Sequence, residues 1–226
     1  MSNFLITGGS HGIGAALAAQ AVQAGHKVVF TGRSEERIAQ TEKETGATGF
    51  RADVSKPQDN QATVDFALQQ LGTIDVLVNN AAYGYGAPIG EMDVDAMRAM
   101  FETNIFGLVD LTNRIVPLMK KRQQGDIVNI ASTSGMKGHA NGTSYAGSKW
   151  ALRGISQCWQ AELRPSNVRV FCVCPSEVQT GWGGTEPGTN PRKLFAEDIA
   201  LSIMGALAMP ARGFIPEFAV FATNPF

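Results

Sequence analysis

Within T-S-Y-A-G-S-K-W-A-L, residues 143–152, a phenol and an ammonium stand four residues apart as Tyr145 and Lys149. One turn of helix separates them, so both side chains project from the same face and can act on one target. A phenol can give a proton to an oxygen that gains negative charge and take it back in the reverse reaction. Its ordinary pKa near ~10 makes it a poor base at neutral pH, and a neighbouring ammonium favours the phenolate. The same pair also occurs on solvated helix faces with no chemical role, so the surrounding elements decide between chemistry and packing.

Those elements alternate between short β-rich runs and longer helical patterns along almost all of the 226 residues. Strands are predicted over Phe4–Thr7, Lys27–Thr31, Thr48–Ala52, Val76–Asn79, Ile127–Ser132 and Val168–Val173, with a weaker run near Phe218–Phe221. Most are continuously apolar, as in parallel strands covered on both faces. Helices are predicted over Ile13–Ala24, Glu35–Thr45, Gln58–Leu71, Val94–Lys121, Tyr145–Arg164 and Ala196–Met209. The pattern predicts an α/β fold: a single doubly wound Rossmann-type domain spanning 1–226, its parallel sheet of about seven strands flanked by helices.

Between the first strand and first helix lies T-G-G-S-H-G-I-G, Thr7 to Gly14. Glycines at 8, 12 and 14 permit a tight turn, close backbone approach to a pyrophosphate and close packing of helix on sheet. A dinucleotide site is therefore expected from Gly8, Ser10, His11, Gly12, Ile13 and Gly14. At the end of the second strand, Phe30-Thr31-Gly32-Arg33-Ser34 offers a guanidinium where an NAD-binding protein usually offers an acid to the ribose. Arg33 can pair with a 2′-phosphate, and Ser34, Ser10 or His11 can add hydrogen bonds, which favours NADP(H). A solvated cation at a helix start is the competing reading of Arg33. Residues up to roughly 130 form the cofactor half on this reading, and 131–226 the catalytic and substrate half.

With T-G-G-S-H-G-I-G, N-N-A-A and Y-A-G-S-K in one alternating chain, the sequence resembles the short-chain dehydrogenase/reductase family over essentially its whole length. The resemblance implies hydride transfer between a nicotinamide and a carbonyl. It implies that Asp53, with Val54 beside it, meets the adenine, and that Asn79, Asn80, Ala81 and Ala82 steady the sheet beside the cofactor, Ala82 standing where glycine is common. It implies that the backbone carbonyl of Asn104 holds a water in a proton relay; without the family Asn104 reads as an indifferent helix residue. Ser132, thirteen residues before Tyr145, matches the serine that orients the substrate carbonyl, with Thr133 and Ser134 as rivals. Pro175, Val178 and Thr180 match the segment that grips the nicotinamide carboxamide, Ser176 replacing a frequent glycine. Tyr145 is then the general acid in reduction and Lys149 the cation that lowers its pKa and holds the nicotinamide ribose.

A formal net charge of −1 and the absence of a long basic run argue against nucleic acid or an acidic membrane as partner. Cys158, Cys172 and Cys174 form no disulfide framework and have no nearby histidine, so no metal is expected. With no cleavable leader and no apolar run long enough to cross a bilayer, a soluble cytoplasmic protein is expected. Tyr83, Tyr85, Met136, Lys137, His139, Trp182 and Phe195 are candidate pocket residues, and the Gly- and Pro-rich stretch 181–192 is a candidate lid. The expected pocket is apolar to mildly polar, suiting a small-molecule ketone. The resemblance is greatest to 3-oxoacyl-[acyl-carrier-protein] reductases. A small sugar, pterin or hydroxy-amino-acid carbonyl, and a non-catalytic NADP-binding regulator, are the alternatives. The apolar stripes of the 94–121 and 145–164 helices serve either core packing or the subunit contacts of a homodimer or homotetramer.

Overall fold

The computed structural model describes residues 1–181 and 188–224. The apolar runs become seven strands: β1 (Asn3–Ile6), β2 (Lys27–Gly32), β3 (Thr48–Arg51), β4 (Val76–Asn79), β5 (Gly125–Ile130), β6 (Val168–Pro175) and β7 (Glu217–Val220). They form one sheet in the order β3-β2-β1-β4-β5-β6-β7, and every pairing is parallel. Strand order reverses between β1 and β4, which is where an open α/β sheet places its ligand crevice.

Among the described residues seven α-helices cover the sheet: α1 (Gly12–Gln23), α2 (Glu35–Thr45), α3 (Pro57–Leu71), α4 (Val94–Phe101), α5 (Leu108–Arg122), α6 (Thr143–Leu163) and α7 (Ala196–Leu207). Leu17 and Ala21 of α1 share one core layer with Ile199 and Ile203 of α7. On the opposite face Val64 and Ala67 of α3 pack with Leu111, Ile115 and Met119 of α5. The helix starts follow the capping chemistry of the sequence: Ser34 Oγ accepts from Arg37 N at 3.3 Å, and Asp93 Oδ1 accepts from Asp95 N and Ala96 N.

Of the expected boundaries that move, two shape the site. The predicted helix over Val94–Lys121 is interrupted by a π-helical turn at Glu102–Gly107, which inserts an extra residue into the turn and re-aims its side chains. Gly107 is pressed there against the chain after β3, where a methyl group would drive into the Val54 carbonyl. The predicted strand Ile127–Ser132 stops at Ile130; Ala131 N still donates to Val173 O at 2.7 Å, and Ser132 instead caps a 3-10 turn over Thr133–Gly135.

Residues following the carboxyl ends of β1 to β6, from Gly8 to Ser176, gather along one rim of the sheet. The helix-to-strand junctions gather on the other, and there Gly25, Gly46, Gly72, Gln123 and Asn167 take positive φ. Among the described residues no helix is long and apolar enough to cross a membrane. Cys172 and Cys174 are buried and Cys158 is exposed, all three free.

Candidate active site

The turn after β1 needs its glycines. Gly8 and Gly12 sit at φ +63° and +55°, a region L side chains rarely adopt. A Cβ on Gly14 would stand 2.7 Å from Asn80 Nδ2, and one on Gly8 would stand 2.9 Å from Ala81 Cα. Asn80 fastens the turn by donating from Nδ2 to Thr7 O at 3.0 Å and Gly8 O at 2.9 Å. Thr7 Oγ1 in turn accepts from Asn80 N and Ala81 N. Asn79 works deeper in the sheet, donating to Thr112 Oγ1 and Asn129 Oδ1.

A cavity of about 210 Å³ opens beside this turn, lined by Gly8, Ser10, His11, Gly12, Ile13, Arg33, Ser34, Asp53, Val54, Asn80, Ala81, Ala82 and Thr180. Of the residues expected around the phosphate turn, Gly14 alone stays out of the lining, buried behind it as the close-packing glycine. Arg37, in the first turn of α2 and four residues after Arg33, also lines the cavity. Burial, then the charges of Arg37 and Arg33, push the His11 pKa down. Among the described residues neither Arg33 nor Arg37 is ion-paired. One oxygen of Asp53 accepts from Ser55 N at 3.0 Å and Ser55 Oγ at 2.8 Å.

A second cleft of about 650 Å³ continues from the first, sharing Ile13, Asn80, Ala82 and Thr180 with it. Ser132, Tyr145, Lys149, Pro175 and Val178 line it. The Ser132 side chain lies near enough to the Tyr145 hydroxyl to favour its ionised form, and Ser132 Oγ accepts from Ser134 N at 3.1 Å. Lys149 is 3 % exposed, its Nζ donating to Ile130 O at 2.8 Å and lying 5.7 Å from the centre of the Tyr145 ring.

The titration of this pair departs from the expectation that Lys149 draws the phenol down. Burial raises the Tyr145 pKa, and the opposing influence is the Ser132 side chain. Burial also lowers Lys149 to about 8, against the pull of Cys172 and Cys174. Both groups are removed from water, and desolvation disfavours the charged form of each. Ser176 forms a backbone bond to Val220 O without positive φ, so serine fits where glycine was expected.

Asn104 is 1 % exposed and sits in the π-helical turn. Its Oδ1 accepts from Tyr83 N at 3.0 Å, while Nδ2 donates to Tyr83 O at 3.0 Å and Ser148 Oγ at 3.2 Å. The side chain thereby ties the loop after β4 to the residue preceding Lys149.

The expected substrate wall is redrawn. Tyr83 belongs to the first cavity, and the Tyr85 hydroxyl accepts from Asp93 N at 2.9 Å. Met136, Lys137 and His139 are exposed, and Phe195 precedes α7 as its N-cap; none of these lines the cleft. Trp182 and residues 183–187 of the expected lid lie outside the described residues. In their place Thr133, Ser134, Ser176, Glu177, Gln179 and Lys193 stand among Ile13, Ile130, Ala131, Pro175 and Val178, so the lining mixes polar and charged groups with apolar side chains. Lys193 Nζ meets Glu177 Oε1 at 2.6 Å, brought there by the parallel bridge Val178↔Leu194.

A doubly wound parallel sheet with a glycine turn at its switch point defines a Rossmann-type dinucleotide-binding architecture. The family model described as short chain dehydrogenase matches residues 2–188, and the chain belongs to that family of oxidoreductases. An uncharacterized oxidoreductase of Staphylococcus saprophyticus is 35 % identical over 222 residues, covering 96 % of this chain and 95 % of its own. A serine dehydrogenase solved in its closed form with NADP+ superposes with a TM-score of 0.90 at 28 % identity, over 96 % of this chain and 93 % of that one. An alcohol dehydrogenase of the archaeon Thermococcus sibiricus, complexed with 5-hydroxy-NADP, gives 0.89 at 27 % identity over 99 % and 97 %.

Proposed function

We propose that the protein is an NADP(H)-dependent oxidoreductase that interconverts a ketone and a secondary alcohol, of the 3-oxoacyl reductase type. The observation that carries this reading is the meeting of Ser132, Tyr145 and the buried Lys149 in one cleft. That cleft is continuous with the cavity over the glycine turn.

The residues present fit the dinucleotide. Gly8 and Gly14 leave no room for a side chain, so backbone N–H groups can approach a pyrophosphate. Arg33 and Arg37, without carboxylate partners among the described residues and flanked by Ser10 and Ser34, suit a 2′-phosphate. Solved relatives bound to NADP+ and to an NADP derivative support the same choice. Bound NADPH supplies the hydride.

The remaining steps belong to the chain itself. Ser132 hydrogen-bonds the substrate carbonyl oxygen, and Tyr145 gives that oxygen its proton as charge develops. A phenol is protonated at neutral pH, the form reduction needs, and burial shifts Tyr145 further that way. Lys149, with a pKa of about 8, exchanges protons near neutrality, and Asn104 anchors the turn beside it. Asp53 and Val54 face the adenine, and Pro175, Val178 and Thr180 the carboxamide. We read 1–226 as one domain working in the cytoplasm, a setting that suits its three free cysteines. Phe106 and Trp150, 55 % and 49 % exposed, support a homodimer or homotetramer.

The Lys193–Glu177 pair favours a second reading, a small hydroxy acid or hydroxy-amino acid, since the cleft then offers a cation to a carboxylate and a carboxylate to an ammonium. NADPH oxidation against β-keto acyl thioesters and small ketones, alongside NADP+ reduction by hydroxy acids and hydroxy-amino acids, separates the two, each arm repeated with NADH or NAD+. Cofactor binding without turnover of any substrate would refute both, and a clear NADH preference would remove the role given to Arg33.

A further inference from the structure

A half-buried arginine outside the set described so far braces the reacting groups. Arg153 follows Lys149 by one helical turn, so Tyr145, Lys149 and Arg153 run along one face of α6 at i, i+4 and i+8. Its Nη1 donates to Gly135 O at 2.7 Å, and Gly135 N donates to Ser132 O at 2.9 Å. Gly135 is seated against the backbone of Lys149, where a Cβ would stand 2.7 Å from the Lys149 carbonyl oxygen. The other two guanidinium nitrogens, Nε and Nη2, donate to the two oxygens of Glu217 on β7, at 2.9 and 2.7 Å.

Glu217 also lies within 4.8 Å of the thiols of Cys172 and Cys174. A carboxylate with both oxygens held by a guanidinium is a poor metal ligand, so the cluster reads as a charge-paired brace. The brace ties the turn that carries Ser132 to the helix that carries Tyr145, with β7 as the third anchor.

We propose that Arg153 is a positioning residue that holds the Ser132–Gly135 turn against α6, so that the Ser132 hydroxyl stays in register with Tyr145. The inference rests on the oxidoreductase reading of Ser132 and Tyr145. It matters because displacing a reacting group by about 1 Å costs on the order of a hundredfold in rate.

The test is single-turnover reduction of a ketone by bound NADPH in wild type, Arg153→Met, Ser132→Ala and the double variant, with NADPH affinity measured by fluorescence. Arg153→Met is expected to slow hydride transfer by about tenfold or more while NADPH affinity stays within about twofold. Because the arginine acts through the serine, the double variant is expected to be no slower than Ser132→Ala alone. Arg153→Lys, which keeps the charge but not all three contacts, falls between wild type and Arg153→Met. A wild-type rate in Arg153→Met, or an equal proportional loss in both backgrounds, overturns the inference. If Ser132→Ala itself keeps the wild-type rate, the reading of Ser132 falls and this inference with it. Should Arg153→Met fail to fold, Arg153→Lys and Glu217→Gln carry the same comparison.

Discussion

Replacing Lys149 with methionine should change how the protein's stability depends on pH, in a direction set by burial. Lys149 is enclosed, and its pKa falls from 10.5 to about 8, burial being the largest cause. The unfolded chain therefore holds this proton more tightly than the native state does. Between about pH 8 and 10.5 it binds more protons, so stability rises with pH across that window. At about 1.4 kcal/mol per pH unit, the gap corresponds to roughly 3 kcal/mol of penalty on the charged native state at neutral pH. About 2 kcal/mol of it should be relieved between about pH 7 and pH 9.5. Lys149→Met cannot titrate, and the unpaired Ile130 carbonyl it leaves costs the same at every pH, so the difference between the two proteins isolates the effect. Urea unfolding followed by tryptophan fluorescence at both pH values measures it. Wild type should gain about 2 kcal/mol on the variant as pH rises. A flat difference, or a gain by the variant, would show that the native state holds the Lys149 proton as tightly as water does.

Three other outcomes are expected. Tyr145→Phe should lower kcat by roughly 10²- to 10⁴-fold, the span of a lost general acid, with NADPH affinity by fluorescence titration nearly unchanged. Arg33→Ala combined with Arg37→Ala should reduce kcat/KM for NADPH by about 10- to 100-fold and leave NADH almost untouched, since the removed contacts are to a phosphate NADH lacks. Gly107→Ala should destabilise by about 1–3 kcal/mol in chemical denaturation, because the added methyl meets the Val54 carbonyl.

The sheet was legible because buried parallel strands are written as unbroken apolar runs, and β4 falls on the predicted residues. The glycine turn was legible for a similar reason: few residues tolerate its backbone. The π-helical turn was not. Met97, Phe101, Ile105 and Leu108 keep helical spacing straight through it, and an inserted residue leaves no mark in that period; Gly107, a glycine inside a helix, was the available cue. Lys193 was missed because its place in the cleft depends on the bridge from Val178 to Leu194, a tertiary contact with no local signature. Met136, Lys137 and His139 were misplaced because proximity in sequence to Tyr145 says nothing of which way a loop turns. The titration of Lys149 depends on enclosure, which spacing along a helix does not report.

The division of the sheet into two rims has a practical side. Every residue assigned to dinucleotide or substrate hangs from the carboxyl rim, while Gly25, Gly46, Gly72, Gln123 and Asn167 turn the chain at the amino rim, away from both cavities. A tether, fluorophore or fused peptide attached at Gln123 would leave the reacting edge facing solution, so the molecule can be immobilised by one side and still be interrogated from the other.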